Sequence, residues 1–115
     1  MVLTAHPDGC LILYPAPAWE PVRAQVMAFP STNAHASLWK RLLIGFAEEL
    51  APDGSGRLLI SPELRAYARI DKRVMFVGQG SHFEIWDLEG WNAQLERLRS
   101  GGAPQLPPGM ENFSL

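Results

Sequence analysis

The stretch PDGSGRLLISPELR (residues 52–65) decides how the chain is interpreted. Its first five residues, PDGSG, are typical of a turn, and the apolar run Arg57–Ile60 predicts a strand. Ser61 and Pro62 then predict the start of a helix, because serine accepts first-turn amide hydrogens and proline is tolerated at the first helical position. Asp53 and the arginine that opens the strand therefore flank a flexible loop.

The Asp53–Arg57 pair has two interpretations from the sequence alone. The carboxylate can accept from the guanidinium and orient it toward a partner, and the intervening glycines let a partner approach the backbone. The same pair can equally be a structural clamp on a turn. Exposed pairs of this type contribute only about 0–1 kcal/mol to stability, so both interpretations stay open at this point.

Composition describes a small globular chain of 115 residues, 47% apolar and 19% charged, enough for one domain or two small ones. No apolar run approaches the roughly 20 residues of a membrane helix, and the first ten residues lack the pattern of a secretion signal. Cys10 is the single cysteine, so no intrachain disulfide can form. These features predict a protein of the reducing cytoplasm.

Charge is uneven along the chain. The net charge is −2, which argues against a strongly basic nucleic-acid binder. Residues 53–73, however, carry five basic and three acidic side chains, whereas both flanking segments are net negative. This segment is the one candidate for a phosphate-facing patch. An ordinary solvated face is the alternative.

An internal repeat emerges when the chain is shifted by 72 residues. VLTAHPDGCLILYPAPAWEPV, from Val2, then aligns with VMFVGQGSHFEIWDLEGWNAQ, from Val74. Each copy predicts a strand, a turn, a strand ending in an aromatic residue, and a helix with an early tryptophan. The second copy follows Asp53–Arg73, and by the same offset about 20 residues are expected ahead of the first copy. We therefore expect the first repeat to be incomplete.

Hydrophobic spacing predicts the remaining elements. AEEL is a candidate short strand, and the proline-rich tail (residues 103–115) is expected to be irregular or to dock its apolar residues on a neighbour. Trp19, Trp86 and Trp91 are expected in the core, and Trp39 is a candidate partner contact. The predicted strands are Val2–Ala5, Cys10–Tyr14, Arg57–Ile60, Val74–Val77 and His82–Trp86. Four helices are predicted: one from about Ala18, one over about His35–Phe46, one after Ser61-Pro62 and one after the capping residue Asp87.

No pattern of catalysis or cofactor binding is present. His6, His35 and His82 form no ligand pair with Cys10 at a known metal-site spacing, and the repeat aligns Cys10 with His82, as expected of an ordinary packing position. No nucleophile elbow occurs, and GSG and GQG lack the frame of a phosphate-binding loop. We expect no catalytic residue, no metal and no cofactor, and hence no enzyme.

Three stretches together resemble the MraZ family of bacterial transcriptional regulators. They are VLTAHPDGCLILYPAPAWEPV, DGSGRLLISPELRAYARIDKRVMFVGQGSHFEIWD and PPGMENFSL, the last typical of the proteobacterial branch. The resemblance implies an α+β fold of two SpoVT/AbrB-like β-barrel repeats with packed helices and a pseudo-twofold relation, the first repeat incomplete. It implies four regions: residues 1–24 (part of the first repeat), 25–46 (connecting loop and helix), 47–99 (second repeat with its helix) and 100–115 (flexible tail).

The resemblance also implies a function. Members assemble into rings, here expected to be octamer-like homo-oligomers, that bind direct repeats in double-stranded promoter DNA. They usually repress, including at their own operon in the division and cell-wall gene cluster. We expect a cytoplasmic, nucleoid-associated protein with no membrane or small-molecule partner. The alternative is an oligomerisation or interaction module that does not bind DNA.

The family's D-x-x-x-R motif corresponds to Asp53 and Arg57. Arg57 is the expected principal DNA contact, to a base edge or a phosphate, and Asp53 orients it. The loop residues between them would admit the DNA backbone, and three further basic residues are weaker candidates for phosphate contact. The complete predicted set is Arg57, Ser55, Gly54, Gly56, Arg65, Lys72 and Arg73, with Asp53 as the orienting residue.

Overall fold

A five-stranded antiparallel sheet in the order β3-β1-β2-β5-β4 organises the chain, and the computed structural model describes residues 1–115. The expectation of a mixed α and β fold is confirmed. The sheet of this chain is open, with β3 and β4 at its edges, and assembly into a barrel stays a prediction. The elements are β1 (Val2–Ala5), β2 (Leu11–Tyr14), α1 (Ala16–Met27), α2 (Ala34–Trp39), a π-helical segment (Lys40–Ile44), β3 (Glu48–Glu49), α3 (Pro62–Tyr67), β4 (Val74–Gly78), β5 (Phe83–Asp87) and α4 (Leu88–Gly101).

The two predicted hairpins form and lie side by side. Strand β1 pairs with β2, and β4 pairs with β5. The hairpins meet where β2 pairs with β5, and Ile12 is the Cα partner of Glu84. These two positions are equivalent under the 72-residue shift. The equivalent strands β2 and β5 therefore pair in the register that a twofold relation would produce. Common origin of the two halves stays a prediction.

Strands β1 and β2 are buried at every position because the sheet is covered on both faces at its centre. Alternate side chains point to opposite faces of a strand, so each strand supplies both halves of the core. One half contains Val2, Ile12, Tyr14, Trp19, Val26 and Leu43. The other half contains Leu3, Ala5, Leu11, Leu13, Leu64, Ala68 and Ile85.

The helix predicted over residues 35–46 is present but changes its winding. Asn33 caps α2 by accepting the backbone N–H groups of His35 and Ala36, and after Trp39 the chain continues as a π-helical segment. The buried hydroxyl of Thr4 donates to the carbonyl of Leu43 at 2.8 Å. Strand β1 therefore supplies a hydrogen-bond donor to a carbonyl of the π-helical segment.

The expected strand Arg57–Ile60 is wrong, because no strand pairs with this segment. Its side chains still alternate as in a strand. Leu58 and Ile60 pack against the core, whereas Leu59 is 84% exposed. The alternation that predicted a strand is real, but strand formation also needs a hydrogen-bonding neighbour, and this segment has none.

The expected core role of the tryptophans is confirmed for Trp19 and wrong for Trp86 and Trp91. Trp19 lies on α1 and is buried in the core. Trp86 and Trp91 lie 6.1 Å apart between ring centroids and are only half-buried. Helix α4 contributes no buried residue, because it covers the margin of the sheet at β4 and β5 rather than its centre.

Beyond α4 the tail has no helix or strand and is exposed throughout, as expected. Asp87 accepts the backbone N–H of Gly90 and caps α4 as predicted. Docking of the apolar tail residues on a neighbour stays a prediction. None of the helices combines the length and the apolar character required to cross a membrane.

Candidate nucleic-acid interface

The loop between Asp53 and Arg57 is closed by its own backbone. The N–H of Asp53 donates to the carbonyl of Arg57 at 2.9 Å, and the N–H of Gly56 donates to the carbonyl of Asp53 at 2.9 Å. Gly56 has a φ of +78°, a conformation that residues with a Cβ rarely adopt. The glycine therefore permits the reversal that brings the two ends of the loop together.

The carboxylate of Asp53 holds the same loop from inside. Its Oδ1 accepts the backbone N–H of Ser55 at 2.8 Å and that of Arg57 at 2.9 Å. The bond from the amide of Arg57 has the largest effect and the bond from Ser55 the next, and both lower the pKa of Asp53 below its ordinary value. The guanidinium of Arg57 lowers this pKa further. The aspartate therefore stays ionised and organises the loop even though it is exposed.

The guanidinium of Arg57 is held at one nitrogen and free at the others. Its Nε donates to Oδ2 of Asp53 at 3.2 Å, and the arginine side chain is 79% exposed. This is the only pair between a carboxylate and a lysine or arginine within 4.0 Å in the chain. The two terminal nitrogens therefore present donors to solvent in a defined direction.

The loop surface around the arginine is open. A Cβ built on Gly54 or Gly56 would meet nothing within 4 Å, and Ser55 is exposed with its hydroxyl unengaged. The amides of Ser55, Gly56 and Arg57 are engaged within the loop, so the amide of Gly54 and the hydroxyl of Ser55 are the loop donors that remain beside the arginine. Such a surface admits a flat or convex anionic partner.

Arg65 follows the loop on α3, which begins as predicted where Ser61 accepts the N–H of Leu64 at 3.3 Å. The guanidinium of Arg65 donates to the carbonyl of Asp71 at 2.9 Å. This bond braces the connection that follows the helix. Arg65 is exposed, but part of its donor capacity is already used.

Lys72 and Arg73 lie on the connection between α3 and β4, in an acidic surrounding. Asp71, Asp87 and Glu89 line the same surface depression. Both basic side chains are exposed, but three carboxylates outnumber them locally. The fold therefore gathers Asp53 through Arg57 into one loop and does not bring Lys72 or Arg73 into ion-pair or hydrogen-bond contact with it.

Sequence reasoning missed one group of residues that the fold brings together. His6, Cys10 and Glu84 place one nitrogen, one sulfur and one oxygen within 4.8 Å of one another. Spacing along the chain could not reveal this group, because its third member comes from another hairpin. The pairing register of β2 with β5 was the information required.

Fold and loop together define a small mixed α/β protein that presents one oriented arginine on a glycine-rich turn. The family model described as "MraZ protein, putative antitoxin-like" matches residues 43–103. A "Transcriptional regulator MraZ" of Methylobacillus flagellatus is 54% identical over 115 residues, covering 100% of this chain and 78% of the relative. Proteins of the same name from Dechloromonas aromatica and Aromatoleum aromaticum are 47% and 46% identical, each with 100% and 78% coverage. The chain belongs to the MraZ family.

Proposed function

We propose that this protein is a DNA-binding transcriptional regulator that contacts promoter DNA through the Asp53–Arg57 loop. The observation that carries the proposal is the guanidinium of Arg57, 79% exposed and anchored at Nε by Asp53. An arginine with free terminal nitrogens can donate two parallel bonds to a phosphate or to the O6 and N7 atoms of guanine. The relatives named as transcriptional regulators support DNA as the partner.

The neighbouring groups support different roles. Gly54 and Gly56 leave the loop surface open, so the DNA backbone could approach the amide of Gly54 and the hydroxyl of Ser55, while the amides of Ser55 and Gly56 stay bonded to Asp53. Arg65 is a candidate phosphate contact with its remaining donors. Lys72 and Arg73 rank lower, because the carboxylates beside them oppose an approaching polyanion.

A single loop is too weak a DNA-binding surface for a chain of net charge −2. Affinity for DNA grows with the number of phosphates neutralised, and linked copies bind successive sites at high effective concentration. We therefore propose that copies of the chain close into a ring, octamer-like in size, that engages direct repeats in double-stranded DNA. A ring over the promoter of its own operon in the division and cell-wall gene cluster would exclude polymerase and repress transcription. Its location would be the cytoplasm, at the nucleoid.

The finer architecture belongs to the same proposal. The side-by-side hairpins and the pairing of Ile12 with Glu84 support two pseudo-twofold SpoVT/AbrB-like units. Under that division residues 1–24 belong to the first unit, 25–46 connect, 47–99 form the second unit and 100–115 form the tail.

The test is binding of a fluorescent duplex that carries the DNA upstream of the chain's own operon, measured by anisotropy against a shuffled duplex. Arg57→Ala should weaken specific binding about tenfold to a hundredfold and leave the fold unchanged by circular dichroism. Arg97→Ala is the control, because this arginine is exposed on α4 and pairs with no carboxylate. Wild-type affinity of Arg57→Ala would rule out the proposed contact.

The second candidate function is an interaction module that assembles without binding DNA. An open groove of about 740 Å³ supports it, lined by Glu48, Leu50 and residues 59–62 and rimmed by Arg65. The exposed Leu59 lies in this groove. Salt separates the two candidates: binding through several phosphates weakens steeply as salt rises, whereas assembly through an apolar groove does not.

A further inference from the structure

A nitrogen, a sulfur and a carboxylate oxygen converge beside the turn of the first hairpin. His6 directly follows β1, Cys10 directly precedes β2, and the hairpin turn holds them together through the N–H of His6 and the carbonyl of Cys10, 2.9 Å apart. Glu84 pairs with Ile12, two residues beyond the cysteine. Side chains in such a diagonal relation share a face of the sheet and are within reach of one another when one of them is long.

The three groups are close enough to share one ion. Their ligand atoms all lie within 4.8 Å of one another, and His6 Nε2 is 3.9 Å from Glu84 Oε2. Bonds of about 2.0–2.3 Å to a tetrahedral zinc ion put neighbouring ligands roughly 3.3–3.8 Å apart. Side-chain movements of about 1 Å would therefore close the site.

Neighbouring groups contact two of the three side chains. Glu84 Oε1 accepts the indole N–H of Trp86 at 2.9 Å, which leaves Oε2 toward the histidine. On the side of the ring away from Glu84, Nδ1 of His6 accepts the backbone N–H of Asp8 at 3.0 Å, and Asp8 Oδ2 lies 3.8 Å from the same nitrogen. A metal on Nε2 requires the proton of the ring to be on Nδ1, so metal binding would exchange the bond from the Asp8 amide for a bond from Nδ1–H to the Asp8 carboxylate, the usual outer partner of a zinc-binding histidine.

We propose that His6, Cys10 and Glu84 form a three-ligand site for a divalent transition metal of the Zn²⁺ class, with water as fourth ligand. Thiolate and imidazole ligands favour zinc over magnesium or calcium, which prefer oxygen alone. The metal would join the first hairpin to β5 and so brace the centre of the sheet. The site is separate from the Asp53–Arg57 loop, and it does not depend on DNA binding.

Binding must remove the proton from the thiol. Burial, then the charges of Glu84 and Asp8, raise the pKa of Cys10 to about 12. A divalent ion reverses this local electrostatic balance, because it stabilises the thiolate and neutralises the carboxylate together. Cys10 is fully buried, so the metal would enter past the partly exposed histidine.

Cobalt(II) titrated into the reduced full-length chain is the primary test, because Co²⁺ occupies zinc sites and has visible absorption. We expect a charge-transfer band from thiolate to Co²⁺, tetrahedral d–d bands, loss of both on addition of one equivalent of Zn²⁺, and a higher melting temperature with Zn²⁺. Absence of the thiolate band, or a band that Zn²⁺ does not displace, would overturn the site.

Variants assign the ligands. Cys10→Ser should abolish the charge-transfer band, and Glu84→Gln should weaken Co²⁺ binding at least tenfold, the size expected when a site loses even an outer partner. Glutamine keeps an acceptor for Trp86, so this second variant is informative even if the serine variant does not fold. His35→Gln is the control, since this histidine lies on α2 outside the cluster. Equal affinity of Glu84→Gln and the control would contradict the proposal.

Discussion

Asp53 and Arg57 are joined by three hydrogen bonds across four residues. The backbone N–H of Asp53 donates to the carbonyl of Arg57 at 2.9 Å, and the backbone N–H of Arg57 donates to the carboxylate of Asp53 at 2.9 Å. The guanidinium of Arg57 donates to the same carboxylate at 3.2 Å. The first two bonds shape the loop and the third aims the arginine. One aspartate therefore both builds the turn and orients its exposed side chain, so the clamp and the presentation that the sequence left as alternatives are compatible.

Asp53→Asn should separate these two roles. Asparagine keeps Oδ1 as an acceptor for the backbone amides, but its neutral amide cannot pair with the guanidinium as an anion. We expect specific DNA binding to fall severalfold while the loop keeps its shape, measured by anisotropy and by the amide chemical shifts of Ser55 and Arg57. Binding unchanged from wild type would show that the carboxylate does not orient the arginine.

The loop should also be sensitive to acid. Because the pKa of Asp53 is lowered in the folded chain, its bonds stabilise the loop above the ordinary value of 3.8 and are lost as pH falls through the lower folded value. The amides of Ser55 and Arg57 should therefore titrate together in NMR spectra, with a midpoint below 3.8. A midpoint at or above that value would be inconsistent with the bonds described. The Asp53→Asn variant supplies the control, since it lacks the titrating group.

Gly56→Ala should destabilise the fold, and Gly54→Ala should not. A Cβ meets open space at both positions, so sterics with neighbours cannot distinguish them. Of these two glycines only Gly56 has a positive φ, +78°. This backbone conformation costs about 1–2 kcal/mol for a residue with a Cβ. Urea unfolding measures both free energies, and equal stability of the two variants would contradict this backbone conformation.

Thr4→Val should lower the free energy of unfolding by about 1–3 kcal/mol, because the carbonyls of Leu42 and Leu43 lose their shared side-chain donor. Valine has nearly the same shape, so packing is preserved. Thr4→Ser keeps the hydroxyl and loses only a buried methyl, about 0.8 kcal/mol. Full stability of the valine variant would mean that this bond does not hold the π-helical segment to β1.

Leu64→Ala and Leu59→Ala form a matched pair. Leu64 is fully buried against the core, and its truncation should cost about 2–5 kcal/mol. Leu59 is 84% exposed, so its truncation should change stability by less than about 0.5 kcal/mol. Sedimentation would then test the groove: weaker self-association of Leu59→Ala supports an apolar interface, and unchanged association removes Leu59 from it.

Local chemistry explains what could be predicted. The hairpin at HPDG, the cap at Ser61 and the cap at Asp87 depend on residues within a few positions of one another, and all three form. The Asp53–Arg57 loop is equally local, and its aspartate pairs with its arginine as predicted. Such features follow from turn and capping preferences whatever the rest of the chain does.

Long-range pairing explains what could not be predicted. Arg57–Ile60 has the alternation of a strand but no neighbouring strand to pair with. Trp86 and Trp91 are large apolar side chains of the kind expected in a core, but they lie at the margin of the sheet. The sequence by itself determined the short-range elements and the family. Only the tertiary structure decided the order of strands and the meeting of His6, Cys10 and Glu84, because both depend on the register in which β2 pairs with β5.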